Sequence, residues 1–160
     1  MNIKTDQFKS AEIREDKIIS MPSGMPGFLE CKRFVIIERE EMWPFYIFQC
    51  MDDKDLSFFI MNPFLFKPDY EVNLDQAIKE MKWLTDDHKD IKIHVIVNTT
   101  AGIPEKITAN LLGPLLINIR NNEAVQLVLH NSPYSHKHPI FAETGPEKMP
   151  DVNNKKAANE

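Results

Sequence analysis

The sequence predicts a mainly β domain, an antiparallel sheet that is open or barrel-like, with one short helix and a flexible C-terminal tail. Three observations predict it. Short β-branched and aromatic runs recur between charged or Pro- and Gly-containing connections. Helical periodicity is convincing only once. Beyond Phe141 the chain turns polar and loses its periodicity, as in Gly145-Pro146-Glu147-Lys148. A chain of 160 residues suits one core, so the expected organisation is a single domain over 1–141 and a tail over 142–160.

Taken in order, Ile3 to Phe8 and Ile13 to Met21 alternate apolar and polar residues, and the charged stretch Glu12 to Lys17 reads as a hairpin-like connection. Pro22-Ser23-Gly24-Met25-Pro26-Gly27 follows. Its prolines fix φ and its glycines permit positive φ, so the segment is a shaped loop. Arg33 to Ile37, Phe45 to Cys50 and Leu56 to Met61 are three strands of a meander, with Asp52-Asp53-Lys54-Asp55 as a tight turn between the last two. From Asn73 the period changes. Leu74, Ala77, Ile78, Met81 and Leu84 follow helical spacing, with Asn73 and Gln76 placed as the two halves of a capping box.

Ile91, Ile93, Val95 and Val97 then alternate with a more mixed face, the pattern of a strand near the centre of the sheet. After a loop through Gly102 and Pro104, strands are expected over Leu115 to Ile119 and Ala124 to Leu129. Asn121-Asn122 between them tolerates the left-handed conformation a hairpin turn needs. There is no internal repeat, which disfavours propellers and solenoids.

Composition narrows the function. Asp and Glu number 24 against 19 Lys and Arg, a formal net charge of -5. Long-range electrostatics therefore oppose direct nucleic-acid or anionic-membrane binding and favour a basic partner. The N-terminus lacks the apolar core of a secretory signal, and no apolar run reaches the ~18 residues of a spanning helix. The expectation is a cytoplasmic protein that does not enter the membrane. Cys31 and Cys50 stand among Phe28, Leu29, Phe34, Phe48 and Met51 without a CxxC pair, and read as reduced, mostly buried thiols.

The residues offer little chemistry. His136 and His138, with His130 nearby, invite a zinc site. Residues two apart on a strand point to opposite faces, however, and Lys137 between them adds repulsive charge. Nucleophilic catalysis lacks a Ser or Cys outside the apolar strand patterns, and there is no GxSxG elbow. Asp52-Asp53, Asp86-Asp87 and Glu38 with Glu40-Glu41 sit in turn-like settings where solvated carboxylates are expected. Gly24 to Gly27 matches neither phosphate-binding glycine spacing. These readings point to a protein that is not an enzyme and needs no cofactor. The run Met61 to Tyr70 is too apolar for an ordinary exposed loop. It either covers the end of the core or offers aromatic anchors to another protein.

Several motifs occur together in order: Gly24-Met25-Pro26-Gly27-Phe28, Phe34-Val35-Ile36-Ile37, Pro44-Phe45, and Asn62-Pro63 to Asp69-Tyr70. Thr108-Ala109-Asn110-Leu111, Pro114, Ile117-Asn118 and Tyr134 to His138-Pro139-Ile140 complete the set. In combination they resemble the flagellar assembly factor FliW family of bacteria, over essentially Met1 to Ile140. Gly113 departs from the Ala common in that family, and Asn121-Asn122-Glu123 lacks its frequent Gly.

The resemblance implies a regulator with two partners, flagellin and the RNA-binding translational repressor CsrA, which it would bind and antagonise. Flagellin accumulating in the cytoplasm would occupy the factor and leave CsrA free to repress flagellin translation. The expected mode is noncompetitive, docking beside the RNA surface of CsrA. An alternative is a flagellin-specific protective chaperone with little direct translational role; a third is a barrel enclosing a small ligand. The expected interface residues are Phe64, Phe66 and Tyr70 as apolar anchors, Asn110 as a loop-shaping or contact residue, and Tyr134 with His138 on the closing segment.

Overall fold

The meander expected from the three β-branched and aromatic runs organises everything around it. The computed structural model describes residues 2–3, 11–12, 15–84, 88–99 and 106–141. Strands β1 (Asn2–Ile3) and β2 (Ala11–Glu12) form a separate antiparallel pair. The remaining strands are β3 (Ile19–Ser20), β4 (Arg33–Ile37), β5 (Phe45–Cys50), β6 (Ser57–Met61), β7 (Ile91–Asn98), β8 (Thr108–Ala109), β9 (Leu115–Asn118), β10 (Glu123–Gln126) and β11 (His138–Pro139). One helix, α1 (Leu74–Met81), is described.

Strands β4, β5 and β6 pair as antiparallel neighbours, with Phe34 opposite Cys50 and Tyr46 opposite Ile60. The sheet then extends in both directions and meets itself. On one side β6 pairs with β7, Ile60 opposite Ile96. On the other β4 pairs with β3, β3 with β10 and β10 with β9. Closure comes from β7, whose first half, Ile91 to His94, pairs with β9, Asn118 to Leu115. Seven strands thus form a ring, antiparallel except for the contact of Glu123 with Ser20. The far end of β7, still paired with β6 as far as Val97, turns its other edge to β8, which pairs with β11 as a flap.

Side chains from around the ring meet in one cluster: Ile19, Phe34, Phe48, Ile60, Leu115, Ile117 and Ala124, with Met21 and Met25 from the Pro-Gly loop. At its centre Phe34 and Phe48 stack with ring centroids 4.3 Å apart. The interior is filled by side chains, which removes the basis for a ring enclosing a small ligand. The opposite face of β7 presents Ile91, Val95 and Val97 to two further clusters, closed by α1 and by the segment through Phe66, Tyr70 and Val72. Cys31 and Cys50 are both buried and free.

The ends of elements differ from the sequence reading for local reasons. The predicted strand over Ile13 to Met21 is interrupted by a 3-10 turn at Glu15–Lys17 and survives as Ile19–Ser20. Most of the predicted strand Ile3 to Phe8, the carboxylates Asp86 and Asp87, the loop at Gly102 and Pro104, and the tail lie outside the described residues.

Helix α1 stops at Met81 because Lys82 takes the left-handed conformation (φ 57°), and Leu84, counted on the helical stripe, is 94% exposed. The helix keeps a simple N-cap without either bond of the capping box. Asn73 Oδ1 accepts from the Asp75 N–H at 3.0 Å, whereas the Gln76 amide turns forward to Glu80. Strands β9 and β10 are shorter than expected, and the turn between them places Asn122 at φ 55°, as its sequence suggested.

The Pro-Gly loop is shaped by its glycines as expected. Gly24 has φ 77° and Gly27 φ 87°. The Gly24 N–H donates to Met21 O at 2.8 Å, and the Cys31 N–H to Phe28 O at 2.9 Å. A Cβ on Gly24 would lie 2.7 Å from the carbonyl oxygen of Leu29, whereas one on Gly27 would meet nothing within 4 Å. Gly27→Ala therefore carries only the left-handed backbone term, about 1 kcal/mol. Gly24→Ala adds a backbone clash and should lose about 2–4 kcal/mol. Urea denaturation of the two variants checks this; equal losses would show that the loop relaxes around the new methyl group.

Candidate functional site

The aromatic run after β6 is anchored before it can be offered to anything. Asn62 Oδ1 accepts from the Phe64 N–H at 2.9 Å and starts a 3-10 turn over Pro63–Leu65. Tyr70 then goes inward. It is 3% exposed, its hydroxyl donates to Leu111 O at 2.6 Å, and its ring meets that of Tyr134 at 4.8 Å. The Tyr134 hydroxyl accepts from the Glu71 N–H at 2.9 Å. Phe66 stacks on His138 at 5.7 Å, and Phe64 lies 6.1 Å from Tyr70.

The expected interface aromatics are therefore one connected cluster, but a pinning one. It ties the 62–72 segment to the turn after β8 and to the closing segment. Tyr70, whose phenol is shifted upward by burial and by Tyr134, is a core residue and not an exposed anchor. Phe64 is the partial exception, 37% exposed, and lines a cleft of about 350 Å³ with Tyr46, Asn62, Lys92 and His94. His136 and His138, which together suggested a metal, occupy different surroundings: His138 is on Phe66, and His136 lines the groove described next. Among the described residues no cluster of three His, Cys, Asp or Glu could hold a metal ion.

Asn110 shapes the turn that opens this groove. Its Oδ1 accepts two backbone N–H groups, from Leu112 at 3.1 Å and Gly113 at 2.9 Å. The turn is fixed from the other side by Gln126, whose Nε2 donates to Gly113 O at 2.9 Å, and by the Leu127 N–H to Pro114 O. Because β7 has turned from β9 to β8 here, the sheet parts. The space between is a groove of about 350 Å³ lined by Met25, Pro26, Phe58, Ile96, Leu112 and Val128, with Asn110, Gly113, Gln126 and His136 at its polar side.

Its walls are apolar and continue outward. Phe28, 44% exposed, packs edge-on against Phe58 at 5.7 Å, and beside it Leu29 is 61% exposed; across the groove Val128 is 48% exposed. The groove thus lies where the Pro-Gly loop meets the Asn110 turn, two motifs more than 80 residues apart. Apolar surface of this kind on a folded chain marks a site for association. Sequence reasoning missed Leu29 and Val128. Val128 was assigned to a strand whose pairing ends at Gln126, and the signal available was only the Gly27-Phe28-Leu29 corner, where no alternation directs Leu29 inward.

His94, on the ring's inner alternation at the cleft near Phe64, is unusual. Its Nδ1 is buried with no hydrogen-bond partner among the described residues, and the ring meets Tyr46 edge-on at 6.2 Å. Burial, helped by the charge of Lys92, lowers its pKa to about 4.

The chain is similar throughout to one family of known proteins. The family model for the FliW protein matches residues 2–140. The flagellar assembly factor FliW of Bacillus subtilis (strain 168) is 41% identical over 144 residues, covering 90% of this chain and 99% of that protein. The Alkaliphilus metalliredigens (strain QYMF) protein of the same name is 37% identical over 155 residues, covering 96% and 93%. A crystal structure of the flagellar assembly factor FliW superposes with a TM-score of 0.81 at 32% identity, covering 91% of this chain and all of that one.

Two outcomes are expected from the pinning network. Tyr70→Phe removes the hydroxyl and leaves the Leu111 carbonyl without that donor, so it should lose about 1–2 kcal/mol in chemical denaturation. Acidification should act through His94. The unfolded chain takes up its proton near 6.5 and the folded chain only near 4, so stability is full above pH 6.5 and falls toward pH 4, by up to about 3 kcal/mol. Measured over that window, His94→Leu should flatten the slope; an unchanged slope would assign the acid sensitivity to other groups.

Proposed function

The chain belongs to the FliW family of flagellar assembly factors, and from that premise we propose that it binds flagellin and binds and antagonises the repressor CsrA in the cytoplasm, coupling flagellin synthesis to export. The observation that carries this reading is the exposed apolar groove where the Gly24 to Phe28 loop meets the Asn110 turn, in a chain whose match to the family runs from residue 2 to residue 140. A groove lined by Phe58, Ile96 and Val128, with exposed Phe28 packed on Phe58, offers the mixture of aromatic and aliphatic surface that concentrates binding energy.

Electrostatics would contribute differently. A net charge of -5 speeds encounter with a basic partner such as an RNA-binding protein, and does so most at low salt. Docking beside the RNA surface brings that negative charge close to bound RNA. A coupling of only ~1–3 kcal/mol shifts repression severalfold or more.

Calorimetric titration of CsrA into this protein, alone and with flagellin pre-bound, tests the reading. Binding that flagellin abolishes supports the partner switch. No CsrA binding, together with flagellin kept soluble by this protein, would replace it with a protective chaperone. Within the switch, Phe28→Asp and Val128→Asp place charge on exposed groove walls and should weaken at least one partner by about tenfold or more. Full affinity for both partners in both variants would move the interface away from the groove.

A further inference from the structure

Ring closure leaves one stretch of sheet edge uncovered, in the cleft beside Phe64. Successive residues of a strand turn their main-chain N–H and C=O groups to opposite edges. Along β7 and the residue before it, the even positions face β9 and β8: Asp90 O accepts from the Ile119 N–H at 2.9 Å, and Ile96 O from the Asn110 N–H at 2.9 Å. The odd positions therefore face β6. There Val97 and Val95 lie opposite Phe59 and Met61, and the pairing ends. The next pair in that register would be Ile93 with Pro63. Proline has no N–H to donate, and Pro63 instead opens the 3-10 turn that carries the chain away from the edge. The N–H and C=O of Ile93 are left without a hydrogen-bond partner among the described residues.

The cleft lies along this bare edge. Its volume is about 350 Å³, and Tyr46, Asn62 and Phe64 line it together with the four consecutive residues Ile91 to His94. Consecutive strand residues alternate between faces, so one cleft touches all four only at an edge, and their other edge is covered by β9. The two faces offer different surfaces. On one, Tyr46 meets His94 edge-on at 6.2 Å, and Lys92 on the same face is exposed. On the other, where Ile93 and Tyr70 pack, Phe64 is 37% exposed and 6.1 Å from Tyr70. Lys92 is the charged residue of the lining. Burial holds the His94 imidazole neutral at pH 7, with its pKa down at about 4, and pushes the Tyr46 phenol up.

We propose that this cleft binds a short extended segment of a partner polypeptide, which adds a strand to the free edge of β7 through main-chain hydrogen bonds with Ile93, an apolar side chain against Phe64 and acidic side chains toward Lys92. An unpaired N–H and C=O on one strand residue are matched by the main chain of an extended peptide. A helix spends those groups on itself and cannot supply them. Alternation then fixes the order of side chains. The residue opposite Ile93 shares its face and points toward Phe64, while its two neighbours point toward the Lys92 face, giving acidic, apolar, acidic. The cleft shares no lining residue with the groove at Asn110, and the proposal does not rest on that groove.

The test uses the full chain, labelled with ¹⁵N, and the probe peptide Ac-Thr-Asp-Val-Asp-Thr-NH₂. Saturable shifts are expected at the amides of Lys92, Ile93 and His94, with slower hydrogen exchange at Ile93. N-methylation of the Val nitrogen removes the N–H aimed at β7 and should weaken binding about fivefold or more. N-methylation of the second Asp, whose N–H points away from β7, should leave binding within about twofold. Replacing both Asp residues of the probe by Lys should weaken binding at low salt, and Lys92→Glu should reverse that preference while the Ile93 shifts persist.

Equal binding of the two N-methylated peptides overturns strand addition, and so does the absence of shifts at Ile93 with every peptide. Sensitivity at the second Asp in place of Val overturns the assignment of faces. The same preference for the Asp peptide in the unmodified chain and in Lys92→Glu overturns the charge assignment. Shifts confined to Phe58, Gly113 and Val128 would place peptide recognition in the groove and overturn this site.

Discussion

The fold depends on the double duty of β7. Its first half, Ile91 to His94, hydrogen-bonds β9 and closes the ring, and its second half, Val97 and Asn98, hydrogen-bonds β8. The switch takes place over two residues, Val95 and Ile96, while the other edge of the strand stays paired with β6. A sheet that closes on itself leaves little exposed edge along the ring, so the short strands β3, β9 and β10 are held by neighbours on both sides. The same switch parts β7 from β9, and the groove opens in that gap. Stability and a place to bind come from one strand pairing.

A gap in a sheet exposes backbone groups that must be satisfied locally. Here side-chain amides do this. Asn110 accepts from Leu112 and Gly113, and the Gln126 amide donates back to Gly113. The Asn110 N–H also donates to Ile96 O at 2.9 Å, stitching the turn to the strand where the parting begins. Tyr70 reaches the next carbonyl, Leu111, from the opposite face. The turn is held from several sides, and the residues responsible lie far apart in sequence.

That separation explains what could be read from the sequence. The meander was legible because each strand carries its own β-branched and aromatic run and each turn its own polar residues. Helix α1 was legible from its period, but its end was not, since Leu84 continues the stripe while the left-handed Lys82 ends the helix. Ring closure was not legible at all. The pairing of Ile91 to His94 with Leu115 to Asn118 has no local signature, and β3 and β8 are two residues each.

The candidate residues divide in the same way. Tyr70 stands out in an unusually apolar loop and Tyr134 in the closing family motif, and the same atoms can explain either by burial as well as by binding. Only long-range facts decide between the two: the bond of Tyr70 to Leu111 and of Tyr134 to Glu71 make them struts. Asn110 belongs to both classes at once, its oxygen spent on the turn and its side chain lining the groove. Exposed Val128, in contrast, looks like an ordinary apolar residue in the sequence and gains meaning only from the groove it lines.

Rigidity is what makes such a groove useful. Its floor is the ring interior, its one wall a Pro-Gly loop held by Gly24 and by the Cys31 to Phe28 bond, and its other wall the amide-stitched turn. None of these needs to be ordered when a partner arrives. Most of the free energy of an apolar contact is otherwise offset by ordering loops and side chains, so a preformed groove returns a larger share of its buried area as affinity. A net negative charge adds rate but little discrimination, because it attracts any basic protein alike. Discrimination between partners would therefore rest on the uncharged, fixed part of the surface.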